Sequence, residues 1–158
     1  MNGLVESTRV RPPGRIRTIL LATDLHPASE PATSEALGLA AALSARLLIV
    51  SVIDPGQRRV PGVRSEVRVD QIRERREKAA QGLVAQGRAM GAEVSFLVWE
   101  GDPGESIVDA ALAEGADMIV VGSRGHGAVG RFLIGSVSDH VVRHAQCPVM
   151  VVRATRDV

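Results

Sequence analysis

Gly122-Ser123-Arg124-Gly125, then nine residues, then Gly135-Ser136, is the stretch whose residue types and spacing could do chemistry. Gly122 and Gly125 lack the Cβ that keeps a backbone away from a phosphate, and both can adopt positive φ, so successive amides can curl around an anion. Gly135 and Ser136 fall where a helix is expected to begin. Its unpaired amides and dipole favour negative charge, and Ser136 adds a hydroxyl. Arg124 and Arg131 bring full positive charge close by. Together these residues read as a phosphate cradle. With 16 glycines in 158 residues, chance places this pattern somewhere in the chain at odds of roughly 1 in 100. The plainer reading is a glycine loop followed by a capping serine. There is no GxxxxGK[ST] loop and no GxGxxG after the first apolar run, so neither a P-loop NTPase nor an ordinary dinucleotide dehydrogenase is supported.

Other side chains with chemical potential are more ambiguous. Asp24 follows the first apolar run; it could end the strand or cap the next helix, but its place at a strand's carboxyl end favours ligand contact. His26 and His126 have no nucleophile near them in sequence and read as loop residues rather than general bases. His140 and His144 are spaced i, i+4, which can hold a metal, but without the glutamate of an HExxH pattern they read as a polar helix face. Cys147 has no second cysteine to pair with, which fits a reducing compartment and hence the cytoplasm. With no basic neighbour to stabilise a thiolate, it reads as a small hydrophobe at a turn. The run Arg73 to Lys78 (RERREK) reads as a solvated helix face with i, i+4 pairs. Lys78 is the one lysine in the chain and sits in that charged run, which argues against Walker-type or Schiff-base chemistry.

The elements that must position these groups alternate along the chain. Residues 1–14 mix polar residues with prolines and read as a flexible tail; residues 15–158 read as one domain. Ile16 to Thr23 is a short apolar strand, and Ser29 to Ala45 a helix whose first oxygen-bearing side chains can satisfy its free amides. Leu47 to Ile53 is a second strand, Asp54 to Val63 a long loop, and Glu66 to Met90 a helix. Ala92 to Glu100 is a third strand; a helix then opens with Pro103 in its first turn and closes at Gly115. Asp117 to Gly122, with almost no polar alternation, reads as an interior strand covered on both faces. Ser136 to Ala145 is the last helix and Pro148 to Arg153 the last strand. Strands alternating with helices imply parallel pairing through right-handed crossovers, hence an open, doubly wound α/β sheet. Such sheets bind ligands beyond the carboxyl ends of their strands, where the strand order reverses. The loops after Thr23, Ile53 and Val121 are therefore where chemistry is expected.

Composition removes other classes. Nineteen Lys and Arg against eighteen Asp and Glu give a net charge of +1, with no broad positive field for nucleic-acid backbones. Two Phe, one Trp and no Tyr are too few rings for a base-stacking platform. No run approaches the ~18 apolar residues of a membrane span, and the first residues lack the apolar core of a signal peptide. No nucleic-acid or membrane partner is expected.

ILLATDLHPASEPATSEALGLAAALSARLLIVSVID, with EGDPGESIVDAALAEGADMIVVGSRGHGAVGRFLIGSVSDHVVRHAQCPVMVVR, closely resembles the universal stress protein (UspA-type) family. The resemblance runs from about Arg15 to Arg153, and its glycine motif is the one that marks ATP-binding members. It implies a Rossmann-like, adenine nucleotide alpha hydrolase-like sheet of order 3-2-1-4-5, which places the switch between strands 1 and 4. It further implies ATP with Mg²⁺ as ligand. Asp24 would lie beside the adenosine or a metal, with Thr23 next to it. Val52 would contact the adenine through its backbone, Gly122 would pass close to the ribose, and Ala22 and Val121 would form apolar walls. Gly125, Gly135, Ser136 and Val137 would hold the phosphates, with Arg124 and Arg131 nearby. Two departures stand out: His26 occupies a place where a serine is common, and Gly127 and Gly130 make the loop unusually rich in glycine. The last strand, at a sheet edge in this order, would expose Val149, Met150, Val151 and Val152 and pair antiparallel with a second copy over Pro148 to Arg153. The expected function is an ATP-binding, stress-response dimer acting on a further protein partner that the residues do not identify. A slow ATP hydrolase or nucleotide-transfer enzyme, a cAMP or AMP module and a ligand-free interaction dimer are the alternatives.

Overall fold

The computed structural model describes residues 14–56, 61–62, 64–123 and 134–153. The expected tail, apart from Gly14, and Arg124, Gly125, His126, Gly127, Gly130 and Arg131 lie outside these described residues. Five strands form one parallel sheet of order β3-β2-β1-β4-β5, with β1 at Thr18–Ala22, β2 at Arg46–Ile53, β3 at Val94–Glu100, β4 at Met118–Gly122 and β5 at Val149–Val152. Four α-helices connect them: α1 at Glu30–Leu43, α2 at Ser65–Ala89, α3 at Pro103–Ala113 and α4 at Ser136–His144. The expected fold class and strand order are those observed.

The strands bury both faces because they are apolar at consecutive positions. In β1, Ile19 and Leu21 join α1 and α2 in one core, while Leu20 and Ala22 join α3 and α4 in the other. Ile19, Leu20 and Leu21 are fully buried, each contributing about 1.5–3 kcal/mol relative to exposure. This β1 ladder pairs with β2 from Thr18↔Arg46 to Ala22↔Val50 and with β4 from Ile19↔Met118 to Ala22↔Val121, so β1 is the middle of the sheet. At the amino ends of β1 and β4, one Asp117 carboxylate oxygen accepts the amides of Arg17 at 2.9 Å and Thr18 at 3.0 Å. The Asp117 amide donates to the Thr18 carbonyl at 2.8 Å.

Helix ends follow local chemistry. The Asp102 carboxylate accepts the Glu105 amide at 2.9 Å to cap α3, with Pro103 behind it, and Gly115 turns the chain out at φ +63°. At the α3–α4 contact, a Cβ on Gly104 would stand 2.8 Å from the His140 ring, so only glycine lets the two helices approach this closely. The start of α1 differs from expectation. A 3-10 turn at Pro27–Ser29 precedes the helix, and the Ser29 side chain makes no capping bond.

Candidate functional site

The strand order reverses between β1 and β4, and the chain leaves these neighbours toward opposite faces. α1 packs on the face shared with α2, and α4 on the face shared with α3. Two helix N-termini therefore flank the carboxyl ends of the two strands, the general position of ligand sites in open α/β sheets. A shallow depression lies there, lined by Ala28, Ser29, Ala32, Gly122, Ser123 and Val152. Ala22 and Val121, the expected apolar walls, are buried register partners at the strand ends.

One side of the cleft is made of backbone. The Ser138 hydroxyl donates to the Gly122 carbonyl at 2.5 Å, and the Gly135 amide donates to the Ser123 carbonyl at 3.0 Å, which seats the first turn of α4 against the end of β4. The Gly135 amide is thus engaged within the chain. Gly135 is the N-cap and has no side chain to cap the helix, and among the described residues no other side chain bonds its first amides. An α-helix supplies no internal acceptor for its first amides, so the amides of Ser136 and Val137 belong to an uncapped turn, and Ser136 is exposed. Gly122 does not adopt positive φ, contrary to one reason for expecting a glycine. A Cβ on it would make ordinary contact with Ala32 at 3.9 Å, so neither strain nor packing against the described residues demands glycine there.

The other side is made of side chains. The Thr23 amide continues the β1–β2 ladder by donating to the Val50 carbonyl at 3.1 Å, and its hydroxyl accepts the Leu25 amide at 3.0 Å. Leu25 is left-handed at φ +60°, a conformation that costs a non-glycine residue of order 1–3 kcal/mol and gathers at functional turns. The turn brings the His26 amide (3.0 Å) and the Ser29 hydroxyl (2.6 Å) onto one Asp24 carboxylate oxygen. Burial pushes the Asp24 carboxyl up. The bonds from Ser29 and His26 and the charges of Arg76 and His26 outweigh it and hold the group below the usual carboxylate value. Asp24 therefore organises the turn as an acceptor rather than capping α1. His26 is an exposed loop residue, as expected, whose ring nitrogen accepts the Ala28 amide at 3.3 Å.

The arginine run of α2 is not simply a solvated face. Arg76 is half-buried, and its Nη1 donates to the Val52 carbonyl at 2.7 Å and to the Ser51 hydroxyl at 3.0 Å. Arg73 donates to the Val98 carbonyl at 3.0 Å and to Glu100 at 2.7 Å. Burial lowers the Arg76 pKa, Asp24 raises it and Arg75 lowers it; an arginine remains charged throughout. Sequence reasoning missed Arg76. Its signal was Ser51, the single hydroxyl in LLIVSVI, which is 1% exposed: a buried polar group requires a partner.

The remaining candidates lie apart from the cleft. His140 and His144 stack with ring centroids 4.1 Å apart, and a His144 ring nitrogen bonds the His140 carbonyl. Among the described residues no three His, Cys, Asp or Glu side chains gather as metal ligands, and no helix is long and apolar enough to cross a membrane. Cys147 is half-buried against the α3–α4 core. β5 forms a sheet edge; Val149, Met150, Val151 and Val152 are half-buried, and Pro148 and Arg153 exposed.

Comparison with known proteins places these observations in a family setting. The family model described as "Universal stress protein family" matches residues 15–153. A universal stress protein of Thermus aquaticus is 39% identical over 139 residues, spanning 87% of this chain and 98% of its own length. Among solved structures, universal stress protein UspA from Lactobacillus plantarum matches with a TM-score of 0.79 at 26% identity, covering 89% of this chain and 99% of that one. A universal stress protein in complex with cAMP matches with a TM-score of 0.66 at 25% identity, covering 90% of this chain and 100% of that one.

Proposed function

The chain belongs to the universal stress protein family, and from that premise we propose that it binds an adenine nucleotide, ATP with Mg²⁺, between the carboxyl ends of β1 and β4 and serves as a nucleotide-responsive dimer in the stress response. The observation that carries this reading is the uncapped first turn of α4, held against the end of β4 at the switch in strand order. Phosphate oxygens satisfy the Ser136 and Val137 amides, and the Ser136 hydroxyl adds a donor. Arg124, Gly125 and Arg131, outside the described residues, complete the loop in this reading. The nucleoside lies over Ala22, Thr23 and Asp24, passes Gly122 and points its base toward Val52. Asp24 would supply a carboxylate to the Mg²⁺, an ion usually held by one or two carboxylates beside phosphate oxygens and water. The cAMP complex of a relative supports the adenine choice.

Isothermal titration of nucleotide-stripped protein with MgATP, cAMP and AMP tests the reading, with Gly122→Val as control. Among the described residues, the Cβ of a valine there meets Ala32 at 3.9 Å, so the fold is expected to persist while the depression fills. Expected are saturable binding of MgATP and its loss in the variant. No heat with any of the three nucleotides would overturn the reading. Ligand at 100 times its dissociation constant would stabilise the fold by about 2.7 kcal/mol. The second copy pairs along β5, whose edge leaves backbone groups unpaired. Light scattering at micromolar concentration is expected to give the mass of two chains; the mass of one would remove the dimer.

A further inference from the structure

We infer that Arg76 sets which nucleobase the cleft accepts: its guanidinium, seated on the Val52 carbonyl and the Ser51 hydroxyl at the carboxyl end of β2, presents N–H donors where a base would otherwise meet a carbonyl acceptor. The inference rests on the nucleotide reading. A ligand with its phosphates at the first turn of α4 crosses β4 and then β1, and the next strand is β2. There the Val52 carbonyl is already taken at 2.7 Å. The guanidinium is anchored rather than loose: it is half-buried, its hydroxyl partner is 1% exposed, and its charge acts on Asp24.

Guanidinium has five donors and no acceptor. The exocyclic amine of adenine is itself a donor, so at the Val52 carbonyl it must share an oxygen already bonded to the guanidinium, or displace Arg76. A purine with a keto oxygen beside N7 offers two acceptors, which suit an arginine fork. Arg76 thus narrows the preference for an adenine nucleotide over a guanine nucleotide. The competing account is that Arg76 only ties α2 to the sheet. Arg73 separates the two, because it makes the same kind of tie one turn earlier, to Val98 and Glu100 on β3, one strand further from the cleft.

The test is titration of the full chain, as wild type, Arg76→Met and Arg73→Met, with MgATP, MgGTP and inorganic tripolyphosphate. In Arg76→Met the ratio of ATP to GTP affinity is expected to rise at least tenfold, with tripolyphosphate affinity unchanged. Arg73→Met is expected to leave the ratio alone. Arg76→Lys keeps a cation and a donor without the fork, and is expected to shift the ratio in the same direction by less; it decides the matter if the methionine variant does not fold. A ratio unmoved by loss of Arg76, or moved equally by loss of Arg73, overturns the inference while leaving the nucleotide reading intact. Absence of binding by all three ligands to every form overturns both.

Discussion

The two sides of the cleft are built from different material. Beside β4 the groups that would meet a ligand in the proposed reading are backbone amides of the first turn of α4, positioned by the Ser138–Gly122 bond. Beside β1 and β2 they are side chains: Asp24 held by Ser29 and His26, and Arg76 resting on Ser51 and Val52. Amide donors carry no titratable group, so that side keeps its character at any pH at which the helix persists. The opposite side holds the Asp24 carboxylate and the Arg76 guanidinium, whose charges influence each other, so single substitutions or a change of pH can retune it. In the proposed reading the difference separates two jobs: holding phosphate in general, and choosing what the phosphate is attached to.

Ser136→Pro would break the comparison most strongly. Proline is favoured at the first helical position, and Gly135, at φ −60° and ψ 158°, already has the extended backbone that a following proline requires. The fold should stand while one amide and one hydroxyl donor disappear. Hydrogen bonds to charged groups contribute about 1.5–3 kcal/mol each, so affinity for MgATP and for tripolyphosphate should both fall by about a hundredfold or more on titration, with the thermal midpoint nearly unchanged. Unchanged affinity would place the phosphates elsewhere.

Ser29→Ala sharpens the comparison by a smaller step on the side-chain side. Removing the 2.6 Å bond lets the Asp24 carboxyl rise toward its ordinary value. Because the folded group is depressed, its contribution is fully present above the unfolded pKa and is lost as pH falls through the folded one. The acid limb of the thermal midpoint should therefore move to higher pH in the variant, with a cost at neutral pH of about 1 kcal/mol. Thermal melts taken from about pH 7 down to about pH 2 measure it; superimposable acid limbs would mean that Ser29 does not hold the carboxylate.

The same contrast explains what could be read before the structure. Consecutive apolar runs closed by Gly, Pro or Asp expressed the sheet, because strands buried on both faces need little else. The glycine-and-serine spacing located the α4 side, because backbone chemistry leaves its mark in residues that lack side chains. It did not reveal that the Gly135 amide would be spent on Ser123, a bond between segments that meet only in the fold. Ser29 looked like a cap, but the 3-10 turn before α1 directs its hydroxyl back to Asp24. Leu25 gave no notice of its left-handed turn, since neither glycine nor asparagine marks it. In RERREK, helical periodicity addresses every arginine to a face; a hydroxyl on another element, Ser51, is one of the groups that Arg76 reaches.

At the far end of the strands that border the cleft, Asp117 clasps the amides of Arg17 and Thr18 and returns its own amide to Thr18. That clasp acts as a rivet. With the ladder from Ile19↔Met118 to Ala22↔Val121 it fixes β1 and β4 to each other along their whole length, so room for a ligand has to come from the segments that leave their carboxyl ends, as a vice holds two bars and lets only what is mounted on them turn.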